Sequence, residues 1–191
     1  MLGTTYYLIA GLNEAMPKNM EVVGKTQDRS NEKMKVIFIG QDLAGGICLE
    51  RLLKEEIEIP FIITRPDYPE ERGNSVKDVA LNHNIPCCQP KNIGQQKVVR
   101  KIKEVNPEAI FVAWYGQRLS KSILDIPLKG CINFHPSLLP KYRGPTPVNW
   151  AIINGETETG VTAHYMEEEF DKGDIIFQRK LAISNDDTSR L

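Results

Sequence analysis

Short apolar runs rich in β-branched residues constrain the fold of this chain more than any other feature. Residues 35–40 form such a run, which is typical of a strand buried on both faces and which ends at Gly40. Apolar residues then recur at roughly helical spacing over residues 44–55, and a second buried run follows at residues 59–64. A strand, a helix and a strand in this order predict a right-handed parallel crossover.

The same alternation continues along the chain and predicts an α/β fold, a mostly parallel central sheet flanked by helices with an antiparallel last strand. Further strands are predicted at residues 85–88 (of the edge type), 109–114, 130–135, 160–166 and 175–183. Further helices are predicted at residues 76–84, 98–104, from Ser120 to before Pro127, and at 147–153. A polar loop is predicted at residues 65–74, and residues 185–188 are typical of a helix cap.

The first part of the chain is set apart from this pattern. The polar run at residues 25–33 has no apolar periodicity and is typical of a linker. For residues 2–12, a short docked element and a poorly ordered terminus both remain open. We expect an N-terminal appendage at residues 1–33 and one domain at residues 34–191. Because the cap-like sequence comes just before Leu191, this domain is expected to be truncated at its C-terminus.

Composition narrows the classes of function. A formal net charge of -1 with 41% hydrophobic and 26% charged residues is ordinary for a soluble globular protein, without the basic excess of a nucleic-acid binder. Cys48, Cys87, Cys88 and Cys131 have no zinc-type spacing and are expected to be free thiols in a reducing cytosol. No apolar run approaches the ~18 residues of a membrane helix. We therefore expect a cytoplasmic protein without a metal or a membrane partner.

The glycines that follow the first strand leave two interpretations open. Residues 40–46 fit neither the G-x-G-x-x-G pattern nor a phosphate-binding P-loop. An ordinary tight turn at the helix start explains them most simply. A helix N-terminus that receives an anionic group of a ligand is the functional alternative.

Residues 131–145 carry the strongest chemical signal in the chain. Asn133 and His135 are two positions apart, so a strand points both side chains the same way, and a loop rich in proline and glycine follows. An amide and an imidazolium aimed at one point can stabilise a tetrahedral oxyanion. A carboxylate such as Asp171 beside the ring would favour the charged imidazole. Together the three residues predict acyl transfer by direct attack of an external nucleophile.

Other polar residues have simpler explanations. Nothing marks Ser137 as an activated nucleophile, and His83 lies in a polar run typical of an exposed site. His164 lies on a predicted strand, where a satisfied sheet residue is the commoner case. Taken alone, Asp171 is also more often a loop acid than a catalytic one.

The long motif around Asn133 and His135 resembles that of a known protein family. NFHPSLLPKYRG at residues 133–144, TGVT at residues 159–162 and DKGDI at residues 171–175 resemble the signature of the folate-dependent formyltransferases. That family includes the methionyl-tRNA, glycinamide ribonucleotide and nucleotide-sugar formyltransferases. The resemblance extends more loosely from Met34 to about Asp187. It implies a Rossmann-like catalytic domain that uses 10-formyltetrahydrofolate as co-substrate.

The resemblance also implies roles for individual residues. Asn133 and His135 would polarise the formyl carbonyl, and Asp171 would keep His135 charged and assist proton removal from the amine. The pterin would bind between the segment after the strand at 109–114 and the loop at 167–170. The implied folate-binding residues are Trp114, Tyr115, Gly116, Gln117, Arg118, Leu119, Glu168 and Phe170.

The sequence leaves the identity of the acceptor amine less determined than that of the formyl donor. Asn149-Trp150 and Asn154-Gly155-Glu156 are most similar to the nucleotide-sugar branch, so a nucleotide-linked amino sugar is the leading expectation. A methionyl-tRNA formyltransferase catalytic domain that lacks its C-terminal domain, and a glycinamide ribonucleotide formyltransferase, are the alternatives. Neutral charge makes tRNA the less expected partner. A folate-binding regulatory module and a formyl hydrolase remain as rivals, and a homodimer is left open.

Overall fold

A single mixed sheet organises the computed structural model, which describes residues 33–68 and 75–189. Its strands are β1 (Met34–Gly40), β2 (Ile57–Glu58), β3 (Ile62–Ile63), β4 (Cys87–Cys88), β5 (Ala109–Ala113), β6 (Cys131–His135), β7 (Glu158–Tyr165) and β8 (Ile175–Ala182). The helices of the described part are α1 (Asp42–Leu52), α2 (Ser75–Asn82), α3 (Gln96–Val105), α4 (Lys121–Leu124) and α5 (Pro147–Ile153). The predicted appendage lies almost entirely outside the described residues, as does most of the predicted loop at 65–74.

The strand order is β4-β3-β1-β5-β6-β7-β8, and β2 pairs with the start of β1. Every pair from β4 to β6 is parallel, whereas β6–β7 and β7–β8 are antiparallel. β1 and β3 are parallel neighbours, as the strand–helix–strand pattern predicts. The expected Rossmann-like sheet with an antiparallel last strand is confirmed. β4 lies at the edge of this sheet, as the edge-type sequence at residues 85–88 predicts.

Apolar side chains from the central strands fill the two faces of the sheet. Phe38 packs in one core cluster and Ile39 in the other, because successive side chains of β1 point to opposite faces. Phe111 and Phe134 join the cluster of Phe38, with ring centroids 6.1 Å apart. Full burial of each such ring contributes about 1.5–3 kcal/mol to folding. The core is therefore centred on β1, β5 and β6.

Two predicted elements differ from the observed ones. The single strand expected at residues 59–64 is interrupted, and only Ile57–Glu58 and Ile62–Ile63 pair with β1. Pro60 lies between them, and proline has no N–H for a ladder and fixes its own φ. Helix α1 covers residues 42–52 rather than 44–55, since Leu53 already serves as its cap. The segment at residues 185–188 forms a turn in which the Asp187 carboxylate accepts from Ser184 N.

Local sequence explains the helix that follows the long loop. α5 begins at Pro147, whose fixed φ suits the first helical position. It ends at Ile153, with Asn154 as cap and Gly155 at a φ of 66°, as the Asn-Gly pair predicts. In the part of the chain that is described, no helix meets the length and hydropathy that crossing a bilayer demands.

Candidate functional site

Two neighbouring strands bring four polar side chains to one end of the sheet. Asn133 and His135 alternate with buried Phe134 on β6, so both point to the same side. In the antiparallel ladder with β7, Asn133 lies opposite His164 and His135 opposite Thr162. Residues directly opposite each other share a face of the sheet. His164 therefore belongs to the same group of side chains as Asn133 and His135.

The loop between β7 and β8 supplies the carboxylate of Asp171. Gly144 N donates to Asp171 Oδ2 at 2.8 Å, and Arg143 Nε donates to the Asp171 backbone oxygen at 3.0 Å. Asp171 has a φ of 52°, in the left-handed region that L-residues rarely adopt. A Cβ on Gly173 would lie 1.9 Å from Tyr165 O, so only glycine allows this loop to approach β7. The loop at 136–146 and the strand together hold Asp171 in place.

Asp171 is the centre of the cluster. Its Oδ2 lies 3.4 Å from His135 Nδ1, and its Oδ1 lies 3.5 Å from His164 Nε2. Asn133 Nδ2 donates to His164 Nε2 at 3.2 Å and to Asp171 Oδ1 at 3.5 Å. The amide of Asn133 and the imidazole of His135 thus each lie within 3.5 Å of the Asp171 carboxylate, as does a second imidazole, that of His164.

Backbone carbonyls decide which ring nitrogens carry protons. His135 Nε2 lies 2.8 Å from Tyr142 O, and His164 Nδ1 lies 2.7 Å from Tyr165 O. A carbonyl oxygen can only accept, so each of these nitrogens is a donor. In a neutral ring the other nitrogen is then unprotonated, and in both rings that nitrogen faces Asp171. His135 therefore presents its basic Nδ1 to the carboxylate.

Burial sets the protonation of this cluster. Burial lowers the pKa of His135 below 6.5 and outweighs the opposing effects of the Asp171 carboxylate and the Tyr142 carbonyl. Burial alone would raise the pKa of Asp171, but its contacts with His164, His135 and the Gly144 N–H together lower it. The direction of this shift runs against the expectation of a cationic His135 at neutral pH and favours a neutral imidazole beside an ionised Asp171.

His164 is the residue that sequence reasoning missed. Its position on a strand predicts an ordinary sheet residue, yet its side chain contacts both Asn133 and Asp171 and is 1% exposed. Thr162 and His164 are two positions apart on a strand, which predicts that their side chains lie on one face of the sheet. The pairing register with β6 decides which residues lie beside them. The long connection over residues 136–157 leaves this register undetermined by any hairpin rule.

The hydroxyl of Thr162 ties the loop at 136–146 to the sheet. Thr162 Oγ1 donates to Ser137 O at 2.6 Å and accepts from Leu139 N at 3.1 Å and from Gln178 Nε2 at 2.9 Å. Ser137 is fully buried, and its own hydroxyl donates to Lys141 O at 2.7 Å. Ser137 is thus a structural residue of the loop, in agreement with the absence of any sign of a nucleophile.

The two segments expected to hold the folate are adjacent. The Arg118 guanidinium donates to Glu168 O and lies over the ring of Phe170, 5.5 Å from its centroid. Phe170 is 62% exposed and directly precedes Asp171. An exposed aromatic ring in the segment next to Asp171, with a guanidinium over it, fits a flat, partly anionic ligand. Among the expected folate-binding residues, Arg118, Glu168 and Phe170 are the ones whose contacts join the two segments.

The remaining residues of the first segment have structural contacts. Trp114 packs against one core cluster, and Tyr115 and Leu119 pack with the other. Tyr115 has a buried hydroxyl, and burial raises the pKa of this phenol to about 12. Gln117 binds Ile93 N and Lys91 O through its side chain. Gly116 N donates to Gln41 Oε1 at 3.2 Å.

The start of α1 is satisfied by the chain itself. Asp42 lies in the first turn of the helix, and its carboxylate binds Arg65 Nε at 3.1 Å and Gln41 Nε2 at 3.1 Å. A carboxylate in the first turn stabilises the positive end of the helix dipole. An incoming anion would meet this negative charge. The geometry therefore favours the tight-turn interpretation of residues 40–46 over a ligand site.

Metal ligation and thiol chemistry find no support in the described residues. No group of three or more His, Cys, Asp or Glu side chains there has the arrangement of a metal site. Cys48, Cys87, Cys88 and Cys131 are free, and burial raises the pKa of Cys48 and Cys131 to about 12. The thiols of Cys48 and Cys131 are therefore poor nucleophiles near neutral pH. The expected free thiols are confirmed.

Comparison with known proteins gives a consistent result. Residues 34–191 match the family described as Formyl transferase. Methionyl-tRNA formyltransferase of Clostridioides difficile (strain 630) is 44% identical over 161 residues, which cover 82% of this chain and 52% of that protein. The enzyme of the same name from Alkaliphilus oremlandii (strain OhILAs) is 45% identical with the same coverage. The chain thus spans about half the length of the curated relatives it matches.

Solved structures show the same fold. Phosphoribosylglycinamide formyltransferase from Bacillus halodurans has a TM-score of 0.68 and 26% identity, covering 81% of this chain and 82% of that one. A formyltetrahydrofolate deformylase from Pseudomonas syringae pv. tomato has a TM-score of 0.67 at 23% identity, covering 83% of this chain and 54% of that one. At this identity, the second likeness concerns the fold alone.

Proposed function

Because this chain belongs to the formyl transferase family, we propose that it transfers the formyl group of 10-formyltetrahydrofolate to a primary amine. The observation that carries the proposal is the convergence of Asn133, His135 and Asp171, with His164, around one carboxylate. An acyl transfer between two bound molecules needs a proton acceptor and a stabiliser of negative charge. This cluster contains both and needs no covalent intermediate.

Proton removal is the task of the His135–Asp171 pair. A neutral amine attacks the formyl carbon, a C–N bond forms, and the bond to N10 of the folate breaks. Nδ1 of neutral His135, beside ionised Asp171, accepts the proton that the amine loses. N10 needs one proton when it leaves, so the pair can return the same proton and is regenerated.

Asn133 is the group that meets the formyl oxygen. Its Nδ2 donates to His164 at 3.2 Å and has a longer contact of 3.5 Å with Asp171. A carbonyl oxygen that develops negative charge competes best for the N–H of the longer contact. His164 keeps the amide oriented meanwhile, because its Nδ1–H is held by Tyr165 O at 2.7 Å. His164 thus orients Asn133 without contacting the reacting atoms.

The donor is assigned to the space between the two segments that Arg118 joins. Phe170 offers an exposed ring there, and Arg118 offers a cation for the anionic part of a folate. Phe170 directly precedes Asp171 in the chain, which supports a donor site next to the His135–Asp171 pair. Trp114, Tyr115, Gly116, Gln117 and Leu119 stay predictions, with backbone groups and an apolar wall as their assigned contributions.

For the acceptor, the comparisons favour an amine carried by tRNA over the nucleotide-linked amino sugar expected from sequence. The relatives at 44% and 45% identity are named methionyl-tRNA formyltransferases, and the nucleotide-sugar expectation has no support among the relatives compared. We assign the α-amino group of an aminoacyl-tRNA as the first acceptor to test. Glycinamide ribonucleotide is the second, because a solved phosphoribosylglycinamide formyltransferase shares 26% identity over most of both chains.

The test is a turnover assay of the full chain with 10-formyltetrahydrofolate and three acceptors: methionyl-tRNA, glycinamide ribonucleotide and a nucleotide-linked amino sugar. Formylation of methionyl-tRNA is the expected result. Asn133→Ala and His135→Ala should each lower turnover by about 10²-fold or more. His83→Ala is the matched control, since His83 is an exposed histidine that faces Glu50.

Three outcomes would contradict the proposal in different ways. Full activity in either site variant removes the assigned chemistry. Tight binding of the folate without turnover of any acceptor supports the regulatory module instead. Folate-dependent release of formate without an acceptor supports a hydrolase, in which water replaces the amine.

A further inference from the structure

A hydrogen-bonded bridge joins the end of α5 to the ring of His135. The backbone oxygen of Tyr142 accepts from His135 Nε2 at 2.8 Å. The hydroxyl of Tyr142 donates to Glu156 Oε1 at 2.8 Å and accepts from Asn154 Nδ2 at 3.2 Å. A single residue thus contacts the site through its main chain and the region after α5 through its side chain.

The backbone of Tyr142 does not adopt this position by local preference. Its φ is 55°, in the left-handed region where a bulky L-residue is an outlier. Such a conformation persists when surrounding contacts fix it. The hydroxyl bonds to Glu156 and Asn154 are contacts of this kind. They anchor the side chain of the residue whose carbonyl meets the His135 ring.

Glu156 is ionised throughout the neutral range. The hydrogen bonds from Tyr142 and from Lys141 hold the pKa of this carboxyl below its usual value. A hydroxyl that donates to a carboxylate makes a stronger bond than one that donates to a neutral oxygen. Lys141 Nζ approaches the two carboxylate oxygens at 3.0 and 3.2 Å, so the acceptor itself is held in place.

We propose that Tyr142 and Glu156 are positioning residues that select the reactive tautomer of His135. This inference rests on the proposed function, in which Nδ1 of His135 accepts the proton. With the Tyr142 carbonyl in place, the ring keeps its proton on Nε2 and presents an unprotonated Nδ1 to Asp171. Without that acceptor, the other neutral tautomer is favoured, because an Nδ1–H can donate to Asp171. That tautomer has no base where the amine delivers its proton.

The discriminating experiment measures the tautomer and turnover on the same variants of the full chain. Tyr142→Phe removes one hydroxyl and keeps the ring. With ¹⁵N-labelled histidine, NMR separates the two neutral forms of His135 by their nitrogen shifts. We expect Tyr142→Phe to convert His135 largely to the Nδ1–H form and to lower kcat about tenfold, with both KM values within twofold of the parent.

Matched controls separate tautomer selection from general loosening of the loop. Lys180→Gln removes an exposed lysine that pairs with Glu158 on the neighbouring strand and leaves the Tyr142 hydroxyl bond, so tautomer and kcat should stay as in the parent. Glu156→Gln keeps an oxygen acceptor for Tyr142 and should recover most of what Glu156→Ala loses. If Tyr142→Phe fails to fold by circular dichroism, the pair of Glu156 variants carries the same test.

An unchanged Nε2–H tautomer in folded Tyr142→Phe overturns the proposal, whatever happens to turnover. Lower turnover with an unchanged tautomer would show that the bridge only anchors the loop. A changed tautomer in a chain that formylates no acceptor supports the positioning role and refutes the proposed function. The NMR measurement needs no activity, so the two failures are distinguishable.

Discussion

Strands β1 and β5 can be compared with strands β6 and β7, since all four lie next to one another and are largely buried. The described side chains of β1 and β5 that face the core are apolar throughout. β6 and β7 carry Asn133, His135, Thr162 and His164 at positions that are equally inaccessible or nearly so. Burial is thus similar in the two regions, whereas the chemistry of the buried groups differs.

The difference teaches what each half of the sheet contributes. Apolar burial in β1 and β5 stabilises the fold without direction or charge. Buried polar groups in β6 and β7 are stable only because each has a partner, and those partners fix ring orientation and protonation. Substitutions in the first pair should therefore change stability, and substitutions around the second pair should change turnover.

Asp171→Asn is expected to have the largest effect on turnover. It keeps the size of the side chain but removes the charge that faces Nδ1 of His135 and Nε2 of His164. We expect kcat to fall about 10³-fold while the free energy of unfolding changes little. Asp174→Asn, an exposed acid in the same loop, should retain turnover within threefold. Equal losses in the two variants would contradict the assigned role of Asp171.

Gly160→Ala tests how tightly β7 and β8 are joined. A Cβ at this position would lie 2.1 Å from Arg179 O and 2.5 Å from Leu138 Cδ2, so backbone has to move. We expect the free energy of unfolding in urea to fall by about 1–3 kcal/mol. Gly94→Ala, whose added Cβ meets only a flexible side chain at 3.2 Å, is the control. A stable Gly160→Ala variant would mean that the two strands pair more loosely than described.

Ile39→Val probes the apolar half. Ile39 is fully buried on β1, and loss of one methylene there should lower the free energy of unfolding by about 1 kcal/mol. Turnover of the folded protein should match the parent. Ile176→Val, at a side chain that is 44% exposed, should leave stability nearly unchanged. A drop in kcat in the Ile39→Val variant would contradict the separation of stability in β1 and β5 from turnover in β6 and β7.

The smallest expected effect is the response to pH. Because burial lowers the pKa of His135 below 6.5, the unfolded chain binds more protons than the folded one between that pKa and 6.5. Stability should therefore be complete above pH 6.5 and decline as the pH falls through this window. Turnover should decline in the same direction, since protonated His135 cannot accept the proton of the amine. A maximum of kcat/KM below pH 6 would contradict the neutral ring.

Sequence alone predicts the apolar strands β1 and β5 better than the polar positions of β6 and β7. The runs at β1 and β5 are unambiguous, because several β-branched residues in a row have few alternatives to a buried strand. Asn133, His135 and Asp171 could be chosen through their motif and the family it resembles. The interruption at Pro60 and the early end of α1 depend on tertiary pairing and so fall outside a pattern argument.

His164 and the protonation of His135 show where sequence reasoning stops. The contact of His164 with Asn133 follows from a strand register set by packing rather than by a turn. The direction of the pKa shift of His135 depends on how far the fold excludes water from the ring, which no local sequence pattern predicts. The bridge through Tyr142 combines a positive φ with a carboxylate fourteen positions away along the chain.

The hydroxyl of Thr162 has a consequence for how this molecule opens. Gln178 on β8 and Leu139 in the loop at 136–146 share that one oxygen, so separation of β8 from the sheet also removes a partner from the group that holds the loop. Amide protons of β8 and of the loop should therefore exchange with deuterium at the same opening free energy. The opening of β8 at the edge of the sheet and the opening of the loop at 136–146 would then be a single event.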